Sequence, residues 1–74
     1  MNIQIVMNHT GDTRHVFDPS SLDSVRRAQQ RFDELTAKGF RAVALGSPDR
    51  PSALQDHFDP AVQETLFIPQ LQGG

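Results

Sequence analysis

Apolar residues change their period twice along this 74-residue chain, and that change limits the fold more than any single motif does. Ile3, Ile5 and Met7 alternate with Gln4, Val6 and Asn8, the period of a strand with one face on a core. Leu22, Val25, Ala28, Phe32 and Leu35 then recur at helical spacing, with Arg26, Arg27, Gln30, Arg31, Asp33 and Glu34 largely on the other side. Phe40 to Leu45 and Thr65 to Ile68 return to short apolar runs of strand type. One amphipathic helix among several strands describes an α+β layer pair, a single sheet with the helix packed across it.

Punctuation between these segments sharpens the order. His9-Thr10-Gly11-Asp12 carries turn residues, and Thr13 to Phe17 is β-prone again, so an N-terminal hairpin is expected. Asp18-Pro19-Ser20-Ser21 ends that strand and opens the helix, since proline suits a first helical turn and Asp or Ser oxygens cap its free N–H groups. Lys38-Gly39 closes the helix after about five turns, with a cation at its negative end, a glycine for a left-handed residue and Phe40 folding back. Gly46-Ser47-Pro48-Asp49-Arg50-Pro51 continues neither helix nor central strand. Ser52 to Phe58 reads either as a short strand or as a helical turn, and Ala61 to Glu64 as one turn of helix. Pro69 is expected to stop the last strand, whose Leu66, Phe67 and Ile68 are apolar on both faces as in a strand inside a sheet.

Composition narrows the function classes. With 36% hydrophobic and 22% charged residues the chain is apolar enough to fold, and 74 residues make one small domain. Without cysteine there is no disulfide scaffold, thiolate metal site or cysteine nucleophile, and an intracellular, cytoplasmic setting is the default. No apolar run approaches ~18 residues, so neither a membrane span nor a signal peptide is expected. Seven basic against nine acidic residues give a net charge of -2, which lends nucleic-acid binding little support. His9, His15 and His57 match no metal-ligand spacing and read as surface histidines. Ser20, Ser21 and Ser24 read as helix caps rather than as part of a hydrolytic triad. No cofactor is expected.

The sequence closes on Leu71-Gln72-Gly73-Gly74. Two glycines in succession let a backbone pass through a narrow slot with no Cβ in the way, so another protein's active site can reach the Gly74 carboxylate. At a background glycine frequency of ~7%, such a pair arises by chance in roughly one chain in two hundred.

The strand Met1-Asn2-Ile3-Gln4-Ile5-Val6, the hairpin Thr10-Gly11-Asp12-Thr13, the Pro19-Ser20 step into the helix, and Thr65-Leu66 followed by Leu71-Gln72-Gly73-Gly74 together resemble the ubiquitin-like family. The resemblance extends loosely over the whole chain and is specific only at the tail. It implies a β-grasp: one mixed sheet of four to five strands on one long helix, order ββαβ(β)β, as a domain over 1–68 with a flexible tail over 69–74. The longer helix, the proline-rich loop, the early Pro69, and Gln70 and Gln72 where ubiquitin carries arginines are departures. They imply a dedicated partner set, of bacterial type, rather than the eukaryotic machinery.

The resemblance also implies the chemistry. Gly74 would be the conjugation site, activated by an ATP-dependent activating enzyme, passed on by a conjugating enzyme to amines of target proteins, and released by a deconjugating protease. Leu71, Gln72 and Gly73 would be read as the tail, and the chain itself, monomeric, would be no enzyme. A sulfur carrier with a terminal thiocarboxylate shares this end, and a non-conjugated adaptor or inhibitor domain needs no chemistry at Gly74. Lys38, the only lysine, is either a chain acceptor or a cation offsetting the helix dipole. Val6, Val43 and Phe67 are candidates for an apolar partner-binding patch opposite the helix, or else ordinary core.

Overall fold

A computed structural model describes residues 1–46 and 48–70. It contains one five-stranded mixed sheet and one helix. In chain order these are β1 (Asn2–Asn8), β2 (Gly11–Phe17), α1 (Leu22–Ala37), β3 (Phe40–Ala44), β4 (Ala53–Leu54) and β5 (Glu64–Pro69). Across the sheet the order is β2-β1-β5-β3-β4. β5 therefore sits inside, parallel to β1 and antiparallel to β3, which accounts for its three consecutive apolar residues.

Local chemistry fixes the ends of α1. Ser21 is the N-cap and its hydroxyl accepts from the Ser24 N–H at 3.4 Å, while the Ser24 hydroxyl accepts from the Asp18 N–H at 2.8 Å. Asp18 Oδ1 in turn accepts from the Ser20 N–H and hydroxyl. At the other end Gly39 adopts φ 98°, a left-handed conformation that costs a Cβ-bearing residue, and its N–H bonds to the Thr36 carbonyl. Gly46 is required for a different reason: a Cβ there would run into the Arg50 carbonyl, and its N–H donates to Ser52 Oγ at 2.9 Å.

Several boundaries differ from the sequence expectation. β4 is only two residues, so most of 52–58 is neither strand nor helix. In place of a helical turn over 61–64 there is a β-turn, in which the Val62 N–H bonds to the Asp59 carbonyl, and Glu64 already belongs to β5. Pro69 ends β5 as its last residue, opposite Phe40, rather than stopping it one residue earlier.

The helix covers the face of the sheet that carries Asn2, Gln4, Phe17, Ala42, Thr65 and Phe67, all buried. Alternation in β1 is present as expected, but the inward set contains its polar residues, with Ile3, Ile5 and Met7 on the opposite face. Hydrogen bonds make this tolerable. Asn2 Nδ2 donates to the Pro60 carbonyl at 2.7 Å, Gln4 Nε2 to the Ala28 carbonyl at 3.0 Å, and Arg31 Nη1 to Gln4 Oε1 at 2.9 Å. Among the described residues no buried side-chain nitrogen or oxygen lacks a partner.

Phe32, Ala42 and Phe67 form the centre of the core, with Val6, Leu35, Phe40 and Phe58 packed against them. The rings touch in series, Phe17 to Phe58 and Phe58 to Phe32 at 5.9 Å and Phe32 to Phe67 at 5.7 Å between centroids. Phe67→Ala should cost about 3–5 kcal/mol, a large share of the roughly 4–11 kcal/mol expected for a chain of this size. Leu54→Ala, at a side chain 61% exposed on the far edge, should cost less than about 0.5 kcal/mol. Urea unfolding of the two variants checks the contrast.

Candidate functional site

Register assigns every strand residue to a face, because residues paired across neighbouring strands share one. Val6 pairs with Phe67 and Phe67 with Ala42, so all three face the helix. Val43 pairs with Leu66 and Leu54, one position out of phase, and faces away. The expected patch of Val6, Val43 and Phe67 is therefore corrected. Phe67 is fully buried and Val6 packs on the core, and of the three only Val43 lies on the face opposite the helix. A one-residue difference in parity is enough to move a side chain across the sheet.

An apolar surface does occupy that face, built from other residues. Ile3 pairs with Val16, Ile5 with Leu66, Leu66 with Val43 and Val43 with Leu54, giving a stripe that runs from β2 to β4. Ile3, Ile5, Leu66 and Val43 are half-buried by one another, while Val16 is 58% and Ile68 41% exposed. The helix lies on the other face and does not cover the stripe. Two guanidinium groups border it: Arg14 is paired with Ile5 across the hairpin, and Arg41 with Ile68. Arg14 Nε lies 3.3 Å from Asp12 Oδ2, an exposed ion pair of small energetic weight. Sequence pattern held the signal for this face in Ile3, Ile5 and Leu66. It was obscured because an alternating apolar set normally points inward.

On the helix side a polar group joins β1, β2 and α1. Gln4 and His15 are neighbours across the hairpin, and Arg31 reaches both, by a hydrogen bond to Gln4 and by its charge on His15. Burial first, and the Arg31 charge second, hold His15 below the ordinary imidazole pKa. His9 lies in the β1–β2 turn and His57 in the bend after β4. No group of three potential metal ligands comes together among the described residues.

Lys38 is the exposed C-cap of α1, and its N–H bonds to the Glu34 and Leu35 carbonyls. Leu71, Gln72, Gly73 and Gly74 lie outside the described residues. Gln70, the last described residue, is exposed and follows directly on β5. No described helix is long and apolar enough to cross a membrane. No family model, curated protein or solved structure matches this chain.

His15 gives the fold a pH dependence whose sign follows from the direction of its shift. A depressed folded pKa means that the unfolded chain binds the extra proton first. His15 therefore contributes stability above about pH 6.5, and that contribution is lost as the pH falls through the unfolded value towards the folded one. In urea titrations across this range, His15→Gln should flatten the acid-side decline relative to the parent chain. An unchanged decline would place its origin in other groups.

Proposed function

We propose that this chain is a ubiquitin-like modifier of β-grasp type, charged at Gly74 by an ATP-dependent activating enzyme and attached to amines of target proteins. The observation that carries the reading is the strand order β2-β1-β5-β3-β4. It holds the last strand between β1 and β3 as far as Phe67 and against β3 to Pro69, so the tail sequence that ends in Gly73-Gly74 starts from an anchored strand end with exposed Gln70. The chemistry requires a free carboxylate on Gly74, as encoded or after cleavage behind it.

Chemistry at that group belongs to the partners. The Gly74 carboxylate attacks the α-phosphorus of ATP and pyrophosphate leaves, converting a poor acyl donor into a mixed anhydride with a good leaving group. An enzyme cysteine thiolate displaces AMP to form a thioester. A target amine then displaces the cysteine thiolate, leaving an amide to Gly74 and a proton for solvent. Leu71 and Gln72 would be gripped during these steps and Gly73 would pass the narrowest point. Targets, a conjugating enzyme and a deconjugating protease complete the partner set, in a cytoplasmic setting, with the chain monomeric. Lys38, exposed at the helix end, is the side-chain position open to chain growth.

The uncovered apolar stripe supports a second reading, a non-conjugated interaction domain that binds through its sheet and needs nothing at Gly74. One experiment separates these readings and the sulfur carrier. No acidic residue follows Glu64, so digestion with a glutamate- and aspartate-specific protease leaves residues 65–74 on any acceptor. In cells that encode the chain, mass spectrometry should find this remnant on lysines of other proteins, and should lose it when Gly74 is deleted. Unconjugated chain with oxygen exchanged for sulfur at its terminus would instead identify a carrier. Partner capture indifferent to the Gly74 deletion, with no remnant anywhere, would identify a binding domain.

A further inference from the structure

Phe-Asp-Pro occurs twice in the chain, at 17–19 and 58–60, and both copies build the same turn. Asp18 Oδ1 accepts from the Ser20 N–H at 2.9 Å and the Asp18 carbonyl from the Ser21 N–H at 3.0 Å. Asp59 Oδ1 accepts from the Ala61 N–H at 2.9 Å and the Asp59 carbonyl from the Val62 N–H at 3.2 Å. An aspartate bonded to the backbone two residues on, followed by a proline that fixes φ, makes each turn a stiff unit. The rings that precede the two aspartates touch, at 5.9 Å between centroids.

Their settings differ. Phe17 ends a strand paired along its whole length with β1, its turn leads into the capped start of α1, and its side chain is buried. Phe58 sits in the segment 55–63 between two-residue β4 and β5, where no residue is buried and only Gln55, Phe58 and Val62 are half-buried. Among the described residues three hydrogen bonds tie that segment to the rest of the domain. They run from the Gln55 N–H to the Ala42 carbonyl, from Asn2 Nδ2 to the Pro60 carbonyl and from the Ile3 N–H to the Gln63 carbonyl. The first and last lie at its ends, so its middle is held by the Asn2 bond and by the Phe58 ring against Phe17 and Phe32. Few buried groups and few backbone bonds mark a segment that opens at lower free energy than its domain.

The remaining elements hold together without it. β1 pairs with β2 and β5, β5 pairs with β3, and the Phe32–Phe67 contact and the Gln4 bond to the Ala28 carbonyl keep α1 on the sheet. We propose that residues 55–63 form a strap that detaches and re-closes as one unit, with Phe58 as its latch, while the sheet and helix stay joined. Release bares the Phe17 and Phe32 rings in an aromatic-lined slot on the helix side, a surface that the closed domain does not offer, and frees the Asn2 amide. The inference is independent of any chemistry at Gly74.

Hydrogen exchange of the whole chain, followed by NMR at low urea concentrations, tests it. The Gln55 and Val62 amides and the Asn2 side-chain amide should share one protection factor, at least about tenfold below that of the slowest β5 amides and little changed by urea. The Gln4 side-chain amide should stay with the slow set. Ile5→Ala, on the face away from the helix, removes contacts that survive the opening but not unfolding. It should cost the slow set at least about fivefold in protection and leave the strap amides within about twofold. Asn2→Ala should speed exchange at Gln55 and Val62 by one common factor, at least about threefold, although Gln55 lies on the far side of Phe58 from Pro60. Strap and sheet amides that fall together in Ile5→Ala would overturn the proposal, because the strap would then open only when the domain unfolds. Different factors at Gln55 and Val62 in Asn2→Ala would overturn it as separate fraying, and a Gln4 amide that exchanges with the strap would show that the helix leaves too.

Discussion

Four phenylalanine rings in contact hold this fold together, and each comes from a different part of the chain. Phe17 ends β2, Phe32 lies mid-helix, Phe58 sits in the connection after β4, and Phe67 is in the central strand. In a chain this short a hydrophobic core supplies only a few kcal/mol in net terms, so a cluster that ties four segments at once matters more than any single element's propensity. Tilted and edge-on ring pairs add about 0.5–1.5 kcal/mol each beyond the area they bury. Phe58 explains how a long irregular connection stays on the domain. It has almost no strand of its own, and instead a ring anchors it from inside while the Asn2 side chain holds the Pro60 carbonyl.

The second determinant is polar. Gln4, fully buried beneath the helix, donates to a helix carbonyl and accepts from Arg31, so two elements are tied by a side chain that hydrophobic pattern alone would send to the surface. A typical hydrogen bond contributes about 1 kcal/mol net, whereas a buried amide left unmade costs about 1–3 kcal/mol. Polar positions facing inward on β1 also have a consequence on the other side. Ile3 and Ile5 are turned outward, and the sheet gains an apolar face that the helix does not cover.

What could be read from the sequence follows from this division. Elements whose signals are local were legible: the capped start of α1 near Ser21, its stop at Lys38-Gly39, and the strand around Leu66-Phe67-Ile68 that needed neighbours on both sides. The hairpin was legible as well. Facing was harder, because the parity of β1 is decided by Gln4 finding Ala28 and Arg31, partners more than twenty residues away. Phe67 was open between core and surface for the same reason, since a strand apolar on both faces carries no parity signal. Beyond the two residues of β4, the segment 52–63 was illegible as secondary structure because the Phe58 ring contacts, side-chain bonds at Ser52, Asp59 and Pro60, and a turn at Asp59 define it.

Function divides along similar lines. The diglycine is a sequence feature and carries the proposed acyl chemistry, while the apolar stripe appears only once the strands are ordered. That surface depends on which side of the sheet the helix occupies and on which face of β1 it covers. A single nuclear Overhauser spectrum of the intact chain tests that assignment most directly. Phe32 ring protons should give cross-peaks to the Phe67 ring and the Phe58 ring, and the Gln4 side-chain amide to Ala28, while the Ile3 and Ile5 methyls give none to Phe32. Cross-peaks from the Ile3 or Ile5 methyls to the Phe32 ring would mean that the opposite face is the covered one, and the stripe would be lost.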